Sequence, residues 1–160
     1  MLIRGLTQKD IPSWLALAHE GDDAVRGLNL SLATFYDGFD AYMTRKIEQN
    51  EAFMALNEPS GKCLGIVAFS KKHNRITFLG AFKGANFQKV GGKLMEYALN
   101  QLDNTKEITT SVISSTASMI KQERALYESI GFTASNDKII EAGVPAVQMK
   151  LTPKKTASVF

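Results

Sequence analysis

Ala125-Leu126-Tyr127-Glu128-Ser129-Ile130-Gly131-Phe132 is the stretch on which the reading of this chain turns. It has the form of the last turns of an amphipathic helix, a glycine stop and an aromatic residue that opens a strand. Glycine just past a helix end accepts the left-handed backbone that closes it. Upstream, Val90-Gly91-Gly92-Lys93-Leu94-Met95 reads as a glycine-plus-lysine turn that opens another helix. A helix start leaves backbone N–H groups unpaired and carries the positive end of the dipole, so such a turn suits a phosphate.

The chain around these segments alternates between two periodicities. Leu2 to Leu6 is a first strand. Pro12 opens a helix with an apolar side of Trp14, Leu15, Leu17 and Ala18, and Gly21-Asp22-Asp23 is expected to interrupt it. A second helix is expected near residues 31–49, where Leu32, Phe35, Tyr36, Phe39, Tyr42 and Met43 recur at spacings of three and four. Strands over 51–56, 63–69 and 76–82 follow, joined by the turns Pro59-Ser60-Gly61 and 71–74, as an antiparallel meander. Residues 87–104 are helical, 108–113 a β-branched strand, and 118–130 the helix that Gly131 stops. Strands over 132–142 and 146–151 flank Gly143-Val144-Pro145. The order β-α-α-β-β-β-α-β-α-β-β predicts an α+β domain: a mixed, mostly antiparallel central sheet flanked by about four helices.

A chain of 160 residues with 44% apolar and 22% charged residues fits one domain with a core of its own. Cys63 is the single cysteine, so no intrachain disulfide forms. No signal-peptide layout and no apolar run near the roughly 18 residues of a membrane helix is present, which leads us to expect a cytoplasmic protein with no membrane partner. Residues 153–160 read as a flexible basic tail. The net charge of +3 is unevenly spread. Lys71, Lys72, Arg75, Lys83, Lys89 and Lys93 fall in a segment without acids, whereas residues 20–58 hold eight acids against three bases. His19 and His73 form no metal-ligand cluster, so no metal is expected. Gly92-Lys93 is followed by leucine, which excludes a P-loop, and no GxGxxG occurs. A basic nucleic-acid-binding domain draws on the positive segment, but aromatics are not interleaved with the cations as base stacking requires.

The two glycine segments and the element order together resemble the GNAT superfamily of N-acetyltransferases over residues 1–152. The resemblance implies acetyl-coenzyme A as co-substrate and no resident metal. It implies cofactor contacts at Ala81, Phe82, Asn86, Phe87, Gln88, Lys89, Val90, Gly91, Gly92 and Lys93, with an oxyanion donor near Ala81 or Phe82. It also implies that Tyr127 protonates the leaving thiolate. In the family's Q/R-x-x-G-x-G/A turn, Asn86 here stands for Gln/Arg and Lys89 for the first glycine. Lys83 stands where proline is common. Ile120 stands where the family often has asparagine, which leaves Ser118 to supply that contact. The acceptor would be a small-molecule or protein amine, with Tyr36, Phe39 and Tyr42 as an aromatic wall and Glu20, Asp22, Asp23 and Asp37 as a negative rim suited to a cation. The third strand of the meander carries no acid to serve as general base. Asp37, Glu20, Asp137, Glu141 and His73 are left as candidates. A non-catalytic coenzyme A-binding module of the same fold is the alternative, and homodimerisation is left open.

Overall fold

A computed structural model describes residues 1–24, 38–141 and 144–153; the side chains of residues 22–24, 137, 141 and 144 lie outside that description. So do Tyr36, Asp37 and residues 154–160, which hold most of the expected tail. The element order is β1 (Leu2–Gly5), a short 3-10 turn (Gln8–Asp10), α1 (Ile11–Ala24), α2 (Phe39–Glu48), β2 (Ala52–Leu56), β3 (Cys63–Ser70), β4 (Arg75–Ala81), α3 (Phe87–Gln101), β5 (Ile108–Ile113), α4 (Ser118–Ile130), β6 (Thr133–Glu141) and β7 (Val144–Leu151). The fold is α+β, with a mostly antiparallel sheet and four helices among the described residues.

The strands lie in the order β1-β2-β3-β4-β5-β7-β6. Every neighbouring pair is antiparallel except β4 and β5. Helices cover both faces. On one, Trp14, Leu17 and Ala18 of α1 and Phe39 and Met43 of α2 pack on Met54, Ile66 and Ala68. On the other, Leu94, Met95 and Ala98 of α3 and Leu126 and Tyr127 of α4 pack on Val67, Phe69, Ile76, Ile108 and Val112. A strand covered on both sides buries both of its alternating sets, and the last six residues of β3, Gly65 to Ser70, are all buried.

Helix α1 runs through Gly21 to Ala24 instead of stopping there. Glycine inside a helix costs only about 1 kcal/mol relative to alanine. The burial of Trp14, Leu17 and Ala18 outweighs that local cost. Helix α4 ends as expected: Gly131 has φ 118°, its N–H donates to the carbonyls of Tyr127 and Glu128, and the Phe132 N–H donates to the Tyr127 carbonyl.

The feature that shapes the site is a bulge in β4. Ala68 pairs with Phe78 but the next residue, Phe69, pairs with Ile76, so Thr77 is an extra residue on β4. A bulge bends its strand and raises the local twist. The hydroxyls of Thr77 and Tyr42 lie 2.6 Å apart in a hydrogen bond, which pins the extra residue to α2. On its other edge β4 pairs with β5 at one position only, Arg75 with Thr109. One residue further on, the Thr110 hydroxyl donates to the Ile76 carbonyl at 3.4 Å, and beyond that the two strands diverge.

Close packing of β3 on β4 depends on Gly65. A Cβ built there would sit 2.6 Å from the Gly80 carbonyl oxygen and 2.9 Å from Val90 Cγ1. The carbonyl belongs to the sheet backbone and has no room to yield. Gly65→Ala is expected to destabilise by about 1–3 kcal/mol, the usual cost of overpacking. A urea melt with an unchanged midpoint would contradict this.

Candidate active site

The divergence of β4 from β5 opens a cleft of about 680 Å³. Its walls come from both faces of the sheet: Glu20 of α1, Ala81 at the end of β4, Phe82 to Ala85 of the following turn, Phe87 of α3, and Ala117, Ser118, Met119 and Gln122 around the start of α4.

Backbone donors at this cleft can be followed one by one. The Phe82 N–H donates to the Leu64 carbonyl, 2.9 Å. Phe82 is thus committed to β3 and does not supply the oxyanion donor expected near it. In an antiparallel pair the residue next to a hydrogen-bonded one directs its N–H and C=O to the opposite edge. Ala81 therefore points its polar backbone groups into the gap vacated by β5. The Lys83 N–H donates to the Glu20 carboxylate. The Ala85 N–H donates to the Phe82 carbonyl, 3.0 Å.

At the start of α3, Asn86 is the N-cap, and its side-chain oxygen accepts from the Lys89 N–H. The Val90 N–H already bonds the Asn86 carbonyl, 2.9 Å. Phe87 and Gln88 keep the unpaired N–H groups of that first turn among the described residues. Gly91 and Gly92 lie past this turn, where helical N–H groups point back to carbonyls four residues earlier. They do not form the phosphate-facing turn that the sequence suggests. Gly91 serves packing instead, since a Cβ there would come within 2.7 Å of Leu126 Cδ2 on α4. Val90 is a core residue. Lys93 is exposed and pairs with Glu96 at 3.4 Å. Lys89 is exposed and off the cleft wall, whereas Lys83 lines it.

A second helix start faces the same cleft. Helix α4 has Ala117 as N-cap with no side-chain cap, and its first intrahelical bond runs from the Lys121 N–H to the Ala117 carbonyl. The N–H groups of Ser118, Met119 and Ile120 are thus without partners among the described residues. Two positive helix ends converge on one cleft, an arrangement that attracts an extended anion. Ser118 lines the cleft; Ile120 is buried.

The other expected residues are sorted by position. Among the described residues, Glu20 is the candidate base at the cleft wall. His73, Lys71 and Lys72 lie in the exposed turn before β4, at the far end of that strand from Ala81. The positive segment is thereby split between two ends of a seven-residue strand. Phe39 and Tyr42 belong to a packed aromatic cluster with Trp14 and Phe78, with ring centroids 5.5–6.5 Å apart. Cys63 is half-buried and burial pushes its thiol up to about 11. No group of three or more metal-ligating side chains occurs among the described residues, and no described helix is long and apolar enough to cross a membrane.

Tyr127 is 1% exposed and packs its ring on Phe132, 5.5 Å between centroids. It stands behind the cleft wall, not on it. Thr110, whose hydroxyl donates to the Ile76 carbonyl where β4 and β5 part, and Glu123 both act on its hydroxyl. Burial first, then the Glu123 charge, pushes its pKa well above 10. Glu123 escaped the sequence reading. The signal available was its position four residues before Tyr127 on a helix whose bounds were clear. Its carboxyl is pushed up to about 8 by burial, a shift that the Tyr127 hydroxyl partly opposes.

A family model described as "Acetyltransferase (GNAT) domain" matches residues 16–153. The chain therefore belongs to the GNAT acetyltransferase family. Similar solved structures include an N-acetyltransferase from Staphylococcus aureus, with TM-score 0.68, 12% identity, and 94% of this chain and 100% of that one covered. A spermidine N-acetyltransferase from Vibrio cholerae superposes with TM-score 0.62 at 16% identity, covering 99% and 98%. The ribosomal-protein-S18-alanine N-acetyltransferase from Escherichia coli does so with TM-score 0.63 at 18% identity, covering 99% and 97%. At these identities the likeness concerns the fold. No curated protein matches the sequence.

Glu123 makes stability depend on pH. Its folded value lies above its ordinary 4.5, so between 4.5 and about 8 the folded chain holds a proton that the unfolded chain has released. That contribution is complete below 4.5 and is lost as pH rises toward and through 8. Thermal melts across this window should show Glu123→Gln gaining on the parent as pH rises. A constant difference between the two would refute the assignment.

Proposed function

We propose that this protein transfers the acetyl group of acetyl-coenzyme A to a primary amine by direct attack within a ternary complex, with Tyr127 protonating the departing thiolate. The observation that carries this reading is the meeting of two open helix starts with the free Ala81 backbone at one cleft. A diphosphate suits the unpaired N–H groups at Phe87 and Gln88. A pantetheine arm carries amides that suit the unused edge of β4, as an added strand would. The Ala81 N–H suits the oxyanion that forms when an amine attacks the thioester. Such a donor contributes on the order of 3 kcal/mol in acyl transfer.

Collapse of that oxyanion expels a thiolate whose conjugate acid has an ordinary pKa of about 8.5, against about 10 for a phenol. The Tyr127 hydroxyl keeps its proton at neutral pH and can deliver it to sulfur. The acid at the cleft wall, Glu20, favours a cationic amine, which must lose a proton before attack. We read the whole of residues 1–152 as one catalytic domain acting on a small-molecule or protein amine, without nucleic acid or membrane.

Calorimetry with acetyl-coenzyme A and a thiol-release assay with spermidine and an alanine-ended peptide test this reading. Tyr127→Phe should lower turnover by about 10²-fold or more and leave coenzyme affinity unchanged. Absence of heat from acetyl-coenzyme A would refute it. The burial of Tyr127 behind the wall favours one other reading, a coenzyme A-binding module without turnover. Tight binding with no acetylation of any amine, the same in both proteins, would establish that instead.

A further inference from the structure

We propose that Gln88 is a positioning residue for the acyl donor: its side chain ties the start of α3 to α4 and so fixes the amides that receive the diphosphate relative to the helix that carries Tyr127. This rests on the catalytic reading given above.

The tie is a hydrogen bond from one helix to the other. Gln88 Nε2 donates to the Gln122 carbonyl at 3.1 Å. A helical carbonyl receives the N–H four residues on, and its second lone pair is open to another donor. One turn along, α3 and α4 approach closely: a Cβ on Gly91 would lie 2.7 Å from Leu126 Cδ2, and one on Gly92 4.0 Å from Leu126 Cδ1. From Gln88 to Gly91 and Gly92 on α3, and from Gln122 to Leu126 on α4, both contacts advance toward the C-terminus. The two helices therefore run side by side in the same sense, with both starts at one end.

That arrangement has an electrostatic cost. The first turn of each helix carries partial positive charge, and like ends repel. Antiparallel neighbours escape this repulsion; α3 and α4 do not. The apolar contact at Leu126 lies a turn below the starts. Gln88 stands nearer the ends, in the first turn of α3, and its bond opposes their separation.

The same bond joins two walls of the cleft. Phe87, the neighbour of Gln88, lines it from α3, and Gln122 lines it from α4. The family resemblance assigns Gln88 to the coenzyme, but its side chain is spent on α4; what it offers a phosphate is its backbone N–H. In the proposed reaction α3 grips the donor by its diphosphate, while the proton for sulfur comes from Tyr127 of α4. A displacement between the two helices then becomes a displacement between reacting atoms, and transfer is sensitive to such errors. A donor without the diphosphate has no grip on α3 and is indifferent to the seam.

The test uses the full chain, spermidine and an alanine-ended peptide as probe acceptors, and two donors: acetyl-coenzyme A and acetyl-pantetheine, which lacks the nucleotide and its diphosphate. Gln88→Met keeps the length of the side chain and the backbone N–H but removes the side-chain donor. Its kcat/KM with acetyl-coenzyme A should fall about fivefold, the loss of one ordinary hydrogen bond, while kcat/KM with acetyl-pantetheine stays unchanged. Gln88→Glu has the same shape, and its carboxylate cannot donate to a carbonyl, so it should show the same donor-selective loss. An equal fall with both donors, or no fall with either, overturns the proposal. A second measurement needs no turnover. Magnetic coupling across the hydrogen bond, from the Gln88 side-chain nitrogen to the Gln122 carbonyl carbon, should persist when coenzyme A is bound. Its disappearance would mean that the side chain leaves α4 for the ligand, and overturns the positioning role. If coenzyme A gives no heat with the parent, the catalytic reading fails instead; if the parent turns over and the variants match it with both donors, only the role of Gln88 fails.

Discussion

One extra residue in one strand governs this site. Were β4 regular, it would run alongside β5 and form a ladder, and the Ala81 backbone groups would be spent on β5. Thr77 prevents this by bending the strand, and Tyr42 holds Thr77 in place from α2. The open edge, the cleft and the exposed helix starts all follow from that departure. The desolvation of the Tyr42 hydroxyl, whose pKa burial pushes up to about 12, means that it stays neutral and keeps this contact at any physiological pH.

The opening is then electrostatically shaped by what is left unpaired. Asn86 caps α3 but takes only the Lys89 N–H, and α4 begins at Ala117 with no side-chain cap at all. Buried or half-buried N–H groups need partners. Of the residues that carry them, Phe87, Ser118 and Met119 line the cleft, where a ligand can provide partners. The stability forgone by leaving α4 uncapped, typically about 1 kcal/mol, is small beside what an anion bound at two helix ends can return. Lysine side chains contribute less than their number suggests, because among the described residues only Lys83 lines the cleft, and Lys93 is engaged by Glu96.

Much of the fold was legible where one signal dominated. Strand β5 and helix α4 occupy the expected residues because β-branched runs, a 3.6-residue apolar stripe and a glycine stop agree with one another. The site was less legible. Gly91-Gly92 looked like a phosphate turn because glycine permits close approach. The close approach turned out to be that of Leu126 across the α3–α4 contact. Both uses demand glycine, and local sequence does not separate them. The Thr77 bulge depends on register with β3, and the half-burial of Glu123 on tertiary packing, so neither leaves a local pattern. Tyr36 and Asp37, expected at the acceptor side, fall outside the described residues.

The sheet also decides how two reactants can meet. Helices α1 and α2 close one face and α3 and α4 the other, each over an apolar core. The starts of α3 and α4 are separated from the α1 side by the strands themselves. The barrier lapses only where β4 and β5 part, and there Glu20 of α1 and Gln122 of α4 line one cleft. The two sides of the sheet meet at that gap, as the direct transfer proposed above requires. Cys63, the one thiol of the chain, belongs with the α1–α2 cluster and is made less acidic by burial, so it is a poor carrier of an acyl group. Direct transfer between two bound substrates is the chemistry that such an opening permits. Tyr127 lies within the core that holds α4 to the sheet, so the packing that stabilises the fold also fixes the phenol.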